Sequence, residues 1–281
     1  MTDIKKLEEI ATQIRRDIVR MVHKVQSGHP GGSLGCTDYF VALFFEVLNH
    51  NQDTWTIEGT GHDIFVLSNG HISPVYYSAL ARSGYFPIQE LNTFRHLDSR
   101  LQGHPTTHEG LPGIHIATGS LGQGMSAAIG MALGKKLAND ENVVFSLHGD
   151  GELQEGQNWE ALMFAPHNKV DNLIITIDYN GQQIDGATKD VLNLGNLKDK
   201  LTSFGWEVLE MDGHNLREIV ETLNNAKANT YKGVCQAIIM KTEMGQGIDF
   251  MVGTHKWHGV APNDEQLGSA LNQLPLTIGD Y

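Results

Sequence analysis

The sequence predicts an α/β fold, a parallel sheet with helices on both faces. Three observations predict it. Short β-branched runs alternate with longer stretches whose apolar residues recur at helical spacing. The strand-like runs, such as NVVFSLH and NLIITID, are rich in Val, Ile, Leu and Phe, as strands covered on both faces are. The 281 residues are 40% hydrophobic and 19% charged, ordinary for a globular chain with a sizeable core. No internal repeat, low-complexity tract or Pro/Ser linker divides the chain, so one domain over residues 1–281 is the simplest reading.

The elements follow in order. Ile4, Leu7, Ile10, Ile14, Ile18, Met21, Val22 and Val25 make a first amphipathic helix, broken at SGHPGG. CTDYFVALFFEVLN, from Cys36 to Asn49, is a very apolar helix. DIFVLSNGH, from Asp63 to His71, reads as a strand running into a loop, and SPVYYSALARSG returns as a helix. Leu101 to Gly124 is the longest irregular stretch, rich in Gly, Pro and His, and a loop of that length is usually functional or disordered. QGMSAAIGMALGKKLAN is a small-sided helix able to pack closely on a neighbour, or equally to sit in the core. After NVVFSLH and NLIITID, WEVLEM and GVCQAIIMK read as later strands, with NLREIVETLNNAKAN as the helix between them.

Composition excludes several classes. A net charge of -13 offers no basic field for a nucleic acid. Two cysteines, Cys36 and Cys235, make neither a disulfide framework nor a CxxC metal pair. The N-terminus lacks the apolar core of a secretion signal, and no apolar run approaches the ~20 residues that span a bilayer. The expectation is a cytoplasmic protein without a membrane segment.

FSLHGDGELQEGQNWEALMFA carries the chemistry. A strand stops at His148 and meets Gly149-Asp150-Gly151 before acidic, helix-compatible sequence. Ligands of open parallel sheets bind beyond the carboxyl ends of the strands. Flanking glycines allow a ligand to approach the backbone closely. An Asp there suits magnesium, which takes one or two protein carboxylates plus phosphate oxygens. The next strand ends in Asn180, another oxygen ligand, with 28 residues between Gly151 and Asn180, enough for a crossover to an adjacent parallel strand. The simpler alternative has Asp150 capping a helix and Asn180 turning the chain.

GDG followed at this interval by Asn resembles the motif of thiamine diphosphate enzymes. SGHPGGSLG, LSNGHISPVYYSAL, GHP, TGSLGQG, HGDGELQEGQNWEA, DYNGQQIDG, DGH and WHGVAPN together resemble the amino-terminal part of transketolase, from about Ser27 to Asn263. The resemblance implies a thiamine diphosphate-binding fold of the diphosphate-binding type. It implies magnesium, with manganese or calcium as substitutes, held by Asp150, Asn180 and the backbone carbonyl of Gln182. Gly149, Asp150 and Gly151 then lie at the cofactor's diphosphate. Gly119, Ser120, Leu121 and Gly122 run along the cofactor. Ser120 stands where many relatives have proline, and Gln182 where many have an apolar residue; main-chain contacts tolerate both. GSLGQG also matches a dinucleotide fingerprint, without the strand and acid that motif needs.

Of the fourteen histidines, the resemblance singles out His29, His71 and His104 around the sugar's first carbons. His258 falls between the diphosphate and the reacting hydroxyl, as general base, and His71 also touches the diphosphate. Histidine donates, accepts and titrates near neutral pH, which handling a polyol requires. His115 and His255 stand nearby as weaker candidates. His23, His50, His96, His148, His167 and His214 lie in or beside helices and strands and read as structural. Glu155 is a first-turn helix acid or, by the resemblance, an interface residue linked to a partner's catalytic glutamate.

The implied activity moves a two-carbon ketol group from a ketose phosphate to an aldose phosphate through a thiamine diphosphate carbanion, as in the pentose phosphate pathway. The family's pyrimidine-binding and carboxy-terminal domains are not in these residues. The chain therefore resembles the amino-terminal subunit of a split transketolase, expected to form an α2β2 heterotetramer with a second chain carrying the pyrimidine-binding domain. The alternatives are a related enzyme, such as one like deoxyxylulose-phosphate synthase or one with another sugar phosphate, and a non-catalytic cofactor-binding subunit. The α subunits of 2-oxoacid dehydrogenases lack this set of loop histidines.

Overall fold

The first helix, α1 (Ile4–Val25), begins where the Asp3 side chain accepts the Lys6 N–H. A computed structural model describes residues 2–281. Pro30 opens α2 (Pro30–Gly35), so SGHPGG is not only a break: the helix resumes at once. Proline at the first helical position loses no hydrogen bond. The glycines are demanded by contact, since a Cβ on Gly31 would fall 2.5 Å from Met244. The stretch read as one helix from Cys36 splits into α3 (Thr37–Ala42) and a π-helical turn at Leu43–Val47.

Next come β1 (Ile64–Leu67) and α4 (Ser73–Arg82), followed by the long loop and α5 (Gly124–Leu137). The strand running into a loop read over Asp63–His71 is β1, and Asn69 turns the chain out of it into the 3-10 stretch before α4. Then follow β2 (Val144–Gly149), α6 (Gly156–His167) and β3 (Leu173–Tyr179). A small hairpin, β4 (Gln182–Gln183) and β5 (Gly186–Ala187), precedes α7 (Thr188–Val191) and α8 (Leu197–Ser203). The chain continues through β6 (Glu207–Asp212), α9 (Leu216–Ala228), β7 (Gln236–Lys241) and α10 (Asp264–Gln273).

The main sheet has five strands in the order β1-β2-β3-β7-β6, all parallel. Side chains alternate between two apolar layers, as the two-residue period of a strand dictates. Phe65, Leu67, Phe145, Leu147, Ile174, Ile238 and Met240 enter the core shared with α1, α3, α4 and α9. Ile64, Val66, Val144, Ile175, Ile177, Ala237 and Ile239 enter the core shared with α5, α6 and α8. One buried charge braces the first layer: Asp17 is fully buried and accepts from Arg82 at 2.7 and 2.8 Å and from Ser78 at 2.8 Å.

The small-sided helix α5 divides its faces. Met125, Ala128 and Ala132 pack inward, while Ser126, Gly130 and Gly134 face solvent. Both cysteines are buried and unpaired. Among the described residues no helix is long and apolar enough to cross a membrane.

Candidate active site

Strands β2 and β3 are neighbours, in register from Val144 with Leu173 to Gly149 with Asp178. That pairing brings Asp150 and Asn180 to adjacent strand ends. The Asp150 carboxylate accepts the N–H groups of Gly151 and Gly181, each at 2.8 Å. Thr188 approaches at 3.4 Å. Burial to 1% exposure, and then the neighbouring Asp178, push the Asp150 carboxyl up to about 7. The Asn180 amide donates to Asp178 at 2.7 Å, and its Oδ1 accepts the Gln182 N–H at 2.9 Å.

Apart from Ser120, Gly122 and the two weaker histidine candidates, every candidate site residue lines one cavity of about 370 Å³. Its lining brings together Gly119 and Leu121 of the long loop, the Gly149–Gly151 turn, Asn180 and Gln182 after β3, Glu155, and His29, His71, His104 and His258. Ser120 is exposed on the adjoining loop, and Gly122 is buried within it. Glu155 stands at the start of α6, exposed and without a side-chain capping bond.

The four histidines come from four separate loops and converge. His29 lies 5.1 Å from His71, 6.3 Å from His104 and 5.6 Å from His258, ring centre to ring centre. His71 and His258 are 5.0 Å apart. Burial first, then repulsion from His258 and Arg95, lowers His29 to about 4. Burial, with His258 and His29, takes His71 well below its ordinary value. Burial also lowers His104 and His258. The cluster is thus neutral at neutral pH, each ring offering one donor and one acceptor. The Nδ1 atoms of His29 and His258 are buried without a partner among the described residues.

Arg95 ties two of these loops together. It holds a left-handed backbone, φ 57°, and donates to Ser27 at 3.1 Å and to the Gly103 carbonyl at 3.4 Å. Those residues precede His29 and His104. Gly119 (φ +105°) is required where it stands, because a Cβ would lie 2.4 Å from the His104 ring.

Several cavity residues escaped the sequence reading. Asp178, 2% exposed, accepts from Thr242 and Asn180, and burial raises its pKa. Its one signal was an acid at the end of an apolar strand. Glu152 is 3% exposed and gathers Ser68, the Gly122 N–H at 2.9 Å and the Gly149 N–H at 3.1 Å. Burial opposes its charge, but these bonds and His148 win and hold its pKa low. Gly32, Asn69, Ile72, Gln154, Gln183, Ile184 and Met244 complete the lining. His115 lies outside the cavity, spent on the Trp55 indole at 3.2 Å and the Ile57 carbonyl at 3.0 Å. His255 also lies outside it.

The donor set fits a hard cation and a diphosphate. Among the described residues no three His, Cys, Asp or Glu side chains gather as a metal cluster. A carboxylate, an amide oxygen and a backbone carbonyl are all oxygen donors, and magnesium completes its shell with phosphate and water. Two neighbouring buried carboxyls, each with a raised pKa, are placed to gain from such a cation.

The family model described as transketolase, thiamine diphosphate binding domain, matches residues 7–277. An apulose-4-phosphate transketolase subunit of Actinobacillus succinogenes is 39% identical over 270 residues, 96% of each chain. The 6-deoxy-6-sulfo-D-fructose transketolase subunit SqwG of a Clostridium species is 39% identical over 271 residues, 95% of this chain and 96% of that one. Among solved structures, transketolase from Campylobacter jejuni superposes with a TM-score of 0.89 at 36% identity. It covers 97% of this chain, which spans 43% of the longer Campylobacter protein. A family model matched over residues 7–277, relatives 39% identical over almost the whole chain and a transketolase fold that superposes on it place this chain in the transketolase family, as a thiamine diphosphate-binding domain.

Proposed function

We propose that the chain is the diphosphate-binding subunit of a two-chain transketolase. It would transfer a two-carbon ketol group from a ketose phosphate to an aldose phosphate. The observation that carries the reading is the convergence of four neutral histidines and the Asp150–Asn180 pair on one cavity. The names of relatives support the division of labour, since three similar chains of this length are called subunits. The second subunit would carry the pyrimidine-binding domain and join this one in an α2β2 assembly, with Glu155 at the contact. A cytoplasmic location suits an enzyme acting on small sugar phosphates.

Asp150, Asn180 and the Gln182 carbonyl would hold magnesium, and Gly149 to Gly151 the diphosphate, with Gly119 to Leu121 along the cofactor. When bound, thiamine diphosphate supplies the electron sink for breaking a carbon–carbon bond beside a carbonyl. The protein's own part is positioning and proton transfer. His29, His71 and His104, neutral through burial, hydrogen-bond sugar hydroxyls without adding charge. His258 takes the proton from the reacting hydroxyl at a ring nitrogen, its Nδ1 being unspent among the described residues.

A second reading concerns the sugar. Relatives named for apulose 4-phosphate and for 6-deoxy-6-sulfo-D-fructose favour a specialised donor over a common pentose phosphate. The test is a ketol-transfer assay on the complex pulled from native cells with this chain tagged. Xylulose 5-phosphate and apulose 4-phosphate serve as donors and ribose 5-phosphate as acceptor. Turnover with either, dependent on thiamine diphosphate and on the co-purified chain, is expected. Robust turnover by the pure single chain refutes the split-enzyme reading, and none with either donor refutes the transferase reading for these sugars.

A further inference from the structure

The DGH run lies outside the cavity, yet its histidine reaches the site through the backbone. At the end of β6, Asp212 accepts the His214 N–H at 2.9 Å, and the Gly213 N–H donates to the Lys241 carbonyl at 2.8 Å. A Cβ on Gly213 would fall 2.4 Å from Thr242, so glycine lets this turn lie flat against the end of β7. His214 then meets the segment that follows β7. Its Nε2 lies 2.7 Å from the Glu243 N–H. A backbone N–H only donates, so Nε2 bears the lone pair and the ring proton sits on Nδ1. Nδ1 is buried without a hydrogen-bond partner among the described residues, its nearest acid being Asp38 at 3.5 Å, which is itself buried and held by Arg15 at 2.6 Å.

The segment so gripped touches the site at three points. Thr242 donates to Asp178, which in turn accepts the Asn180 amide at 2.7 Å. Met244 lines the cavity. The Gly245 N–H donates to Gly31 at 2.9 Å, inside α2 directly behind His29.

We propose that His214 is a positioning residue. Its Nδ1–H form, whose Nε2 accepts the Glu243 N–H, pins residues 242–245 and through Thr242 and Asp178 fixes the Asn180 amide toward the metal and diphosphate. The inference rests on the transketolase reading of the cavity.

The test uses the tagged chain with its co-purified partner and magnesium. Thiamine diphosphate affinity is read from tryptophan fluorescence in the wild type, His214→Ala and His214→Gln. The Gln carbonyl can accept where Nε2 does, so Ala should lose about tenfold in affinity and Gln should restore most of it. In parallel, nitrogen NMR of the histidine-labelled wild type should report the Nδ1–H form for His214, a measurement that needs no cofactor. Unchanged affinity in Ala, an equal loss in both variants, or the Nε2–H form overturns the proposal. Failure of the wild type itself to bind would refute the transketolase reading instead, and with it the link from His214 to the cofactor.

Discussion

Replacing Asp150 with Asn removes a charge at nearly constant shape, and the variant's stability relative to wild type should climb with pH. In the metal-free chain, burial and Asp178 raise this carboxyl from 3.8 to about 7. Between those values the unfolded chain gives up the proton while the folded chain keeps it, so wild-type stability falls as pH rises through the window. From pH 5 to pH 8 about two pH units of that window are crossed, worth about 3 kcal/mol at ~1.4 kcal/mol per unit. Asn escapes this loss. Its single acceptor oxygen satisfies one of the Gly151 and Gly181 N–H groups that Asp150 serves, a cost of about 1–3 kcal/mol at any pH. Urea unfolding of both chains in EDTA at the two pH values measures the difference, and subtraction cancels every group they share. The Asn variant should also lose magnesium-dependent cofactor binding in the assembly. A stability difference identical at pH 5 and pH 8 would refute the claim that burial drives this carboxyl up.

Three further outcomes follow from the histidine wall. His29 should titrate near 4 by NMR; its stabilising neutrality is fully present above 6.5 and lost as pH falls through that range, and a midpoint near 6.5 would contradict the buried cluster. Gly119→Ala forces a side chain into φ +105° and within 2.4 Å of His104, so melting should report a loss of about 1–3 kcal/mol, and an unchanged melting temperature would show the loop yields freely. Arg95→Met keeps bulk but cuts the bonds to Ser27 and Gly103, so the complex should show a KM for the ketose donor raised about tenfold with cofactor affinity unchanged; equal losses in both would mean that Arg95 supports the whole cavity.

The sheet was legible because β1, β2, β3 and β7 are short, largely apolar runs between helical patterns, while the edge strand β6 still carries Val208, Leu209 and Met211 among its acids. The placement of Asp150 beside Asn180 followed from strand-end position and crossover length alone. What sequence concealed depended on tertiary contact. Pro30 and its glycines read as a break, although they form a helix in which Gly31 packs too close to Met244 for a Cβ. The β4–β5 hairpin is too short to leave a period. Asp178 and Glu152 looked like ordinary acids because their importance lies in partners brought from distant segments. The faces of α5 could not be assigned either, since small residues suit core and surface alike.

Glu152 joins the end of β1 at Ser68, the long loop at Gly122 and the GDG turn at Gly149. Two of its three anchors are backbone N–H groups, which every amino acid but proline supplies. The clamp itself reads chain position, but the loop it holds still needs glycine at Gly119 (φ +105°) and at Gly122 (φ +87°), where a Cβ would fall 2.4 Å from His104 and 2.8 Å from Gln157. A stretch transplanted over residues 101–121 from a relative with another sugar preference can therefore seat in the same clamp only if it keeps the glycine at Gly119 and a length that delivers the Gly122 N–H to that carboxylate.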